Sequence, residues 1–179
     1  MDTIVEFEEG PSSASHLAVA MDITTAAHLE KKFDHIKDSI DRGELTKIKY
    51  FASEKIDVRG EKSNIPHVVI GVDRQTLYDV LDAWIRGDTR KLADHPVQIK
   101  ILEETRLQLE AFKRYAEHLG KDKIVRVYEK AIAIITDIMS SKEISEKDRQ
   151  AIEGDEMFKM IKNYAEEIAS REVSAVRED

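Results

Sequence analysis

Four glutamates and one histidine in the second half of the chain have side chains that could hold a metal ion. Glu103, Glu104, Glu110 and Glu117 lie along one stretch that ends at His118. A di-iron site in a helical bundle needs inward-facing carboxylates and a Glu-x-x-His motif. The sequence contains no Glu-x-x-His. Glu117 and His118 are adjacent and would point about 100° apart on a helix, so they cannot share an ion.

The same stretch offers partners for its carboxylates at helical spacing. Glu103 precedes Arg106 by three residues, and Glu110 precedes Arg114 by four. Ion pairs at these spacings give weak support to an exposed helix. We therefore predict that this stretch is the solvated side of a helix, with no metal, no cofactor and no catalytic residue.

Two histidines and two aspartates form a second candidate set. His16 and His67 begin two apolar segments, and Asp22 and Asp73 end them, each just before a helical pattern. A catalytic His/Asp site is one interpretation and would make the chain a small enzyme or an enzyme subunit. Capping of the following helices by the aspartates is the simpler one, because a carboxylate at a helix N-terminus accepts from free amides.

A basic and aromatic segment, Thr46–Lys62, is the best candidate for nucleic-acid binding. Cations could contact phosphates while aromatic rings stack on the bases of a single strand. Its candidate residues are Lys47, Lys49, Tyr50, Phe51, Lys55, Arg59 and Lys62. The alternative is that lysines on an edge strand discourage unwanted strand pairing.

The composition limits the classes of function. The 179 residues include no Cys, so disulfides, thiolate metal sites and cysteine nucleophiles are excluded. A formal charge of −8 disfavours general nucleic-acid binding, and seven Gly leave little for a phosphate-binding loop. We expect a cytoplasmic protein without a signal peptide or a membrane span. The 36% of charged residues, together with the absence of Cys, resembles proteins from hot environments.

The first half of the chain alternates strand and helix patterns. Apolar alternation predicts strands over residues 3–7, 16–23, 46–52 and 66–73, the last of them central. Thr24 or Thr25 is expected to cap the first helix, whose apolar face ends before Gly43. Arg59-Gly60 is expected to be a turn. Asp73 is expected to cap the second helix, whose apolar stripe is Leu77, Val80, Leu81, Trp84 and Ile85.

The strand and helix order of this half is ββαββα, and its two parts align in places. HLAVAMDITTAAHLEKKF and HVVIGVDRQTLYDVLDAW begin 51 residues apart and share His, Asp and Thr. A duplicated ββα unit is one interpretation. The alternative is that any strand leading into a capped helix gives this pattern.

The second half is helical from Pro96 onward. The positions Leu102, Leu109 and Ala116 alternate with Thr105, Phe112 and Leu119 as a heptad seam. Ser145 is expected to cap a short helix, and the last helix is expected to lie outside the core. The helix predicted over Lys121–Met139 has two apolar stripes. We predict that a second copy covers one of them, which consists of Val125, Tyr128, Ile132, Ile135 and Met139.

These patterns predict an α+β fold: a small antiparallel sheet with two helices over residues 1–90, then a helical hairpin and a terminal helix over 91–179. The function expected from them is that of a non-enzymatic interaction or regulatory protein that acts through helical surfaces, as a homodimer or with a protein partner. A nucleic-acid-associated protein and a small His/Asp enzyme are the alternatives.

Overall fold

The computed structural model describes residues 3–8, 16–25, 28–52, 59–142 and 144–170. Its strands are β1 (Thr3–Glu8), β2 (His16–Thr24), β3 (Thr46–Ala52), β4 (Arg59–Ile65) and β5 (His67–Gly71). Its helices are α1 (Leu29–Asp41), α2 (Arg74–Ile85), α3 (Thr89–Ala93), α4 (Val97–His118), α5 (Asp122–Ser140), α6 (Glu146–Gly154) and α7 (Glu156–Ser170). The α+β class expected from the sequence is confirmed.

The sheets differ from the single antiparallel sheet that we expected. β1 pairs antiparallel with β2, but β2 pairs parallel with β5, and β3 and β4 form a separate two-stranded sheet. The chain leaves β2 through α1 and the β3–β4 hairpin, so β5 re-enters the first sheet in the direction of β2. A parallel neighbour needs a crossover of this kind.

Arg59-Gly60 belongs to β4, so the expected turn is wrong. The sequence of β4, RGEKSNI, is polar and does not alternate. Pairing with β3 makes it a strand, with Phe51 opposite Gly60 and Thr46 opposite Ile65. Tertiary pairing overrides a weak local preference here.

β5 was expected at the centre of the sheet and lies at its end, beside β2 alone among the strands. All five of its residues are nevertheless buried. Helices α1, α4 and α7 contact this strand. Helix α7 approaches Gly71 closely. A Cβ atom added at Gly71 would lie 3.1 Å from the side chain of Met157, so a larger residue there would require Met157 to move.

Two of the three helix caps expected from the sequence are confirmed. Asp73 accepts a hydrogen bond from the backbone amide of Thr76 at 2.9 Å, and Ser145 accepts one from the amide of Asp148 at 3.1 Å, as expected. The expected cap of α1 is wrong. Thr24 is the last residue of β2, where it pairs with Gly71, and α1 begins only at Leu29.

One apolar core joins the sheet to the helices of both halves. An aromatic chain runs through it. Phe33 of α1 stacks on Tyr164 of α7 with ring centroids 5.3 Å apart, and Phe112 of α4 lies 6.0 Å from Phe33 and 6.1 Å from Tyr128 of α5. These contacts position four helices against one another.

The heptad seam of α4 is confirmed as a core face, since Leu102, Thr105, Leu109, Phe112 and Ala116 are buried. The expectation that the last helix lies outside is wrong. α7 packs on α4 and β5, and its buried residues are Met157, Phe158, Ile161, Ala165 and Ile168. None of the helices in the described ranges combines the length and apolar content needed to cross a bilayer.

Candidate functional site

Helix α2 presents an apolar face to solvent. Its large apolar side chains keep between 40% and 76% of their surface exposed, and they are Leu77, Tyr78, Leu81, Trp84 and Ile85. They recur at helical spacing, so they form one continuous face, called here the α2 stripe. Trp84, the chain's single tryptophan, is 69% exposed within it.

The apolar stripe of α2 was expected to back the sheet, and that orientation is wrong. The buried residue of α2 is Ala83, which lies on the opposite side from Leu81. Thr76 and Val80 are half-buried. Helix α2 therefore packs on the rest of the chain through its smaller side chains and exposes its large apolar side chains to solvent. Hydrophobic periodicity alone does not say which side of an amphipathic helix meets its own chain.

A second feature, buried in the interior, is a polar row along α4. Lys100, Glu104 and Gln108 are spaced four residues apart and have at most 4% of their surface exposed. Gln108 accepts from the amide of Val69 at 2.8 Å and donates to the carbonyl of the same residue at 2.7 Å. The side chain of Gln108 thus gives the free edge of β5 the hydrogen bonds that a further strand would give.

Glu104 also bonds to the free edge of β5, and it is linked to two charged groups, Lys100 and Asp155. Its Oε2 accepts from the amide of Gly71 at 2.8 Å. The amino group of Lys100 lies 3.8 Å from its Oε1 and 2.5 Å from Asp155, which also caps α7 by accepting from Phe158. Burial raises the pKa of Glu104 to about 8, with Lys100 acting in the opposite direction. A carboxyl group of this kind keeps its proton at neutral pH.

The polar row has a structural role, because Glu104 and Gln108 complete the edge of β5 and Lys100 contacts Asp155, which caps α7. In the sequence, Glu104 belongs to the stretch expected on the solvated side of the helix, and Gln108 is not among the candidate residues. A signal was present: the two residues are four apart on one helix, and each directly precedes a position of the heptad seam, Thr105 or Leu109.

Gln108→Leu should lower the free energy of unfolding by about 3 kcal/mol, since it leaves a buried N–H and a buried C=O of Val69 without partners. Urea denaturation followed by circular dichroism measures this loss. Gln150→Leu is the matched control, because Gln150 is exposed and bonds only to Glu146 within the described residues. A loss below about 1 kcal/mol for Gln108→Leu would contradict the proposed seal.

Two of the four residues in the His/Asp set come together. Nε2 of His67 lies 3.3 Å from Oδ2 of Asp22, and Nζ of Lys32 lies 3.7 Å from the same oxygen. Both residues of the pair are buried, and burial is the main reason that the pKa of His67 is lowered. The pKa of Asp22 is also lowered: burial would raise it, and positive charge nearby, His67 and Lys32 included, more than offsets that effect.

The other two members lie elsewhere. Asp73 caps α2, and the side chain of His16 is outside the described residues. Asp22 of β2 contacts His67 of β5 and Lys32 of α1, and these contacts tie the three elements together. The enzyme alternative rests on this pair and stays a hypothesis.

The glutamates of α4 face cations rather than one another. Arg106 lies 3.1 Å from Glu103 and 2.8 Å from Glu110, and Lys113 lies 3.3 Å from Glu117. The expected partner of Glu110, Arg114, is replaced by Arg106 on the preceding turn. Across the described ranges, no three His, Cys, Asp or Glu side chains are grouped so that they could hold a metal ion.

The basic and aromatic segment lies largely on the β3–β4 hairpin. Lys47 and Lys49 are exposed, Lys62 is half-buried, and Lys47 pairs with Glu61 at 2.8 Å. Lys55 and the side chains of Tyr50, Phe51 and Arg59 lie outside the described residues. Nucleic-acid binding by this segment stays a prediction.

The predicted dimer stripe of α5 divides into two groups. Tyr128 and Ile135 are fully buried inside the chain, whereas Val125, Ile132 and Met139 are half-buried. A second copy could reach only the half-buried group, so the α2 stripe offers more exposed apolar surface. Comparisons with protein-family models, curated proteins and solved structures find no match to this chain.

Proposed function

We propose that this chain is a non-enzymatic interaction or regulatory protein that binds a protein partner through the α2 stripe. The observation that carries the proposal is the exposure of five large apolar side chains on one face of one helix. Soluble proteins rarely leave an apolar patch of this kind uncovered unless it is a binding surface. We also propose a cytoplasmic location, since a chain without Cys needs no oxidising compartment.

The residue types of the α2 stripe support the proposal. Trp84 and Tyr78 are of the kinds that dominate binding energy at protein interfaces, because large rings bury much apolar area at a small entropy cost. The polar side of the helix is already paired within the chain, with Arg86 2.8 Å from Asp82. Amphipathic helices of this form dock into grooves or against other helices.

The two alternatives have less support. Lys47, one of the cations of the basic segment, is already paired with Glu61, and the chain as a whole is acidic. The Asp22–His67 pair is buried among contacts that hold the sheet and α1 together. A protein interaction therefore remains the function with the most direct support.

Leu81→Asp should abolish partner binding while it changes the free energy of unfolding by about 1 kcal/mol at most, because Leu81 is 41% exposed and belongs to the surface of the isolated chain. A photo-crosslinking amino acid in place of Tyr78 would measure binding in the cells that produce the protein. We expect a crosslinked product that disappears when Leu81→Asp is added.

The same amino acid in place of Lys130, an exposed residue of α5, is the control for nonspecific capture. The proposal is wrong if position 78 gives no product beyond that control, or if the product survives Leu81→Asp.

A further inference from the structure

We infer that this chain binds a free apolar amino acid in a cleft between α4, α6 and α7, called here the α6 cleft. The inference is independent of the proposed function, because the described lining of this cleft comes from helices other than α2. It is carried by three features: an apolar floor, two opposite charges at the rim that lack partners, and a volume that admits only a small molecule.

The floor of the α6 cleft is apolar. It includes Ile152 of α6 and Phe158 of α7, which are buried. Ile99 and Leu107 of α4 and Ile144, just before α6, line the same cleft and are half-buried. A branched aliphatic or aromatic side chain seated among these five residues would leave water for apolar surroundings, which is favourable. The floor therefore selects a ligand with an apolar side chain.

Two residues of α6 with opposite charges line the rim. Arg149 and Glu153 are four residues apart, so they lie one turn apart on the face of α6 that also carries Ile152. Both are exposed, and neither side chain forms an ion pair or a hydrogen bond within the described residues. A guanidinium group binds a carboxylate through two parallel hydrogen bonds, and a carboxylate accepts from an ammonium group. The two groups therefore match the two charges of a free amino acid whose side chain occupies the floor.

The other charged residues that line the α6 cleft already have partners. Arg106 lies 3.1 Å from Glu103 and 2.8 Å from Glu110, and Lys162 lies 3.9 Å from Glu166. Among its described residues the cleft thus offers one cation and one carboxylate for a ligand, not an excess of one sign. A ligand with a single charge would compensate only one of these two groups and would bring its charge close to the like charge of the other, which is disfavoured.

The volume of the α6 cleft, about 240 Å³, limits the ligand to a small molecule. Pockets for drug-sized ligands measure roughly 300–1,000 Å³. A helix of a partner protein, about 10 Å across with its side chains, is too wide for this space. Leucine, isoleucine and phenylalanine combine two opposite charges, an apolar side chain and a size suited to this volume, so they are the ligands that we expect.

An NMR titration of the isotope-labelled full chain tests the inference, with leucine, isoleucine and phenylalanine as probes. We expect at least one of them to shift the amide signals of residues that line the α6 cleft, with a dissociation constant between micromolar and low millimolar. Glycine has both charges but no apolar side chain and should bind at least about tenfold more weakly. The analogues with one charge, such as isocaproate and isoamylamine for leucine, should also bind at least about tenfold more weakly, because each leaves one rim group without a partner.

Two substitutions at the rim test the charges. Arg149→Gln and Glu153→Gln should each weaken binding of the amino acid by about tenfold, since each removes one charge-assisted contact. Both residues are exposed, so the variants should fold like wild type, which circular dichroism measures. Lys147→Gln is the matched control, because it replaces an exposed charge on the opposite side of α6 and should leave the affinity unchanged.

Three results would overturn the inference. A spectrum that none of the three amino acids shifts at several tens of millimolar would exclude them as ligands. An analogue with one charge that binds as tightly as its parent amino acid would exclude recognition of a zwitterion. Wild-type affinity in Arg149→Gln or Glu153→Gln, or shifted signals confined to other parts of the chain, would show that these two groups do not hold the ligand. None of these results affects the crosslinking from position 78, which measures the α2 stripe.

Discussion

Ile135→Asp is expected to unfold the chain or to reduce its free energy of unfolding by at least ~5 kcal/mol. Ile135 has no exposed surface and belongs to the core that α4, α5 and the sheet share. The substitution removes buried methyl groups and introduces a carboxyl group. Burial of this group costs free energy in either state. The ionised carboxylate loses its hydration, and the neutral carboxyl group must keep a proton above its ordinary pKa.

Circular dichroism and urea denaturation of the purified variant measure this effect. Ala133→Asp is the matched control, since it places the same side chain two residues away on the exposed side of α5 and should cost less than about 1 kcal/mol. The prediction is wrong if Ile135→Asp unfolds cooperatively and its free energy of unfolding falls by less than about 2 kcal/mol. Water would then reach the site, or the core would repack around it.

The second large effect concerns pH and Glu104. Its pKa is raised from 4.5 to about 8 in the folded chain. Between these values the unfolded chain has released the proton and the folded chain keeps it, so rising pH favours unfolding. The stabilisation is fully present below about pH 4.5 and is lost as pH rises through about 8, at ~1.4 kcal/mol per pH unit and up to ~5 kcal/mol in all.

Glu104→Gln should remove this dependence, because the amide is neutral at every pH and its oxygen can still accept from Gly71. We expect the variant to be more stable than wild type by ~3 kcal/mol at pH 7 and equally stable near pH 4. Urea denaturation from pH 5 to 9 measures the difference in free energy of unfolding between the variant and wild type. The titration of other groups, such as His67, cancels in this difference.

Glu103→Gln is the matched control, since it makes the same substitution at the adjacent residue, which is half-buried beside Arg106. If Glu104→Gln shows the same slope as wild type between pH 5 and 8, Glu104 is ionised in the folded chain and its buried state is wrong.

Local pattern predicted most of the elements. Strands such as Thr46–Ala52 alternate over part of their length, and helices end at glycines such as Gly43 and Gly120, which adopt positive φ. β4 was missed because its residues carry no apolar alternation, and its pairing with β3 decides its conformation. The parallel pairing of β2 and β5 was missed because periodicity contains no information about strand direction.

The candidate sites were harder to predict for a related reason. Four residues of the α2 stripe belong to the apolar stripe expected from the sequence, whereas Tyr78 was not included and Val80 is half-buried. The exposure of the stripe follows from the packing of the opposite side of α2, where Ala83 is buried. Glu104 and Gln108 look like surface residues of a charged helix, and their burial depends on a strand edge more than 30 residues earlier in the chain. Long-range contacts of this kind leave little trace in local sequence.

The sealed edge of β5 has a consequence for the order of events during synthesis. A ribosome releases residues 67–71 well before Glu104 and Gln108, which complete the hydrogen bonds of that edge. Until α4 emerges, the nascent chain displays an apolar strand whose N–H and C=O groups are free to pair with another chain, the usual starting point of aggregation. The chain is therefore most vulnerable between the emergence of β5 and the emergence of α4, and a pause in that interval would expose the strand for longest.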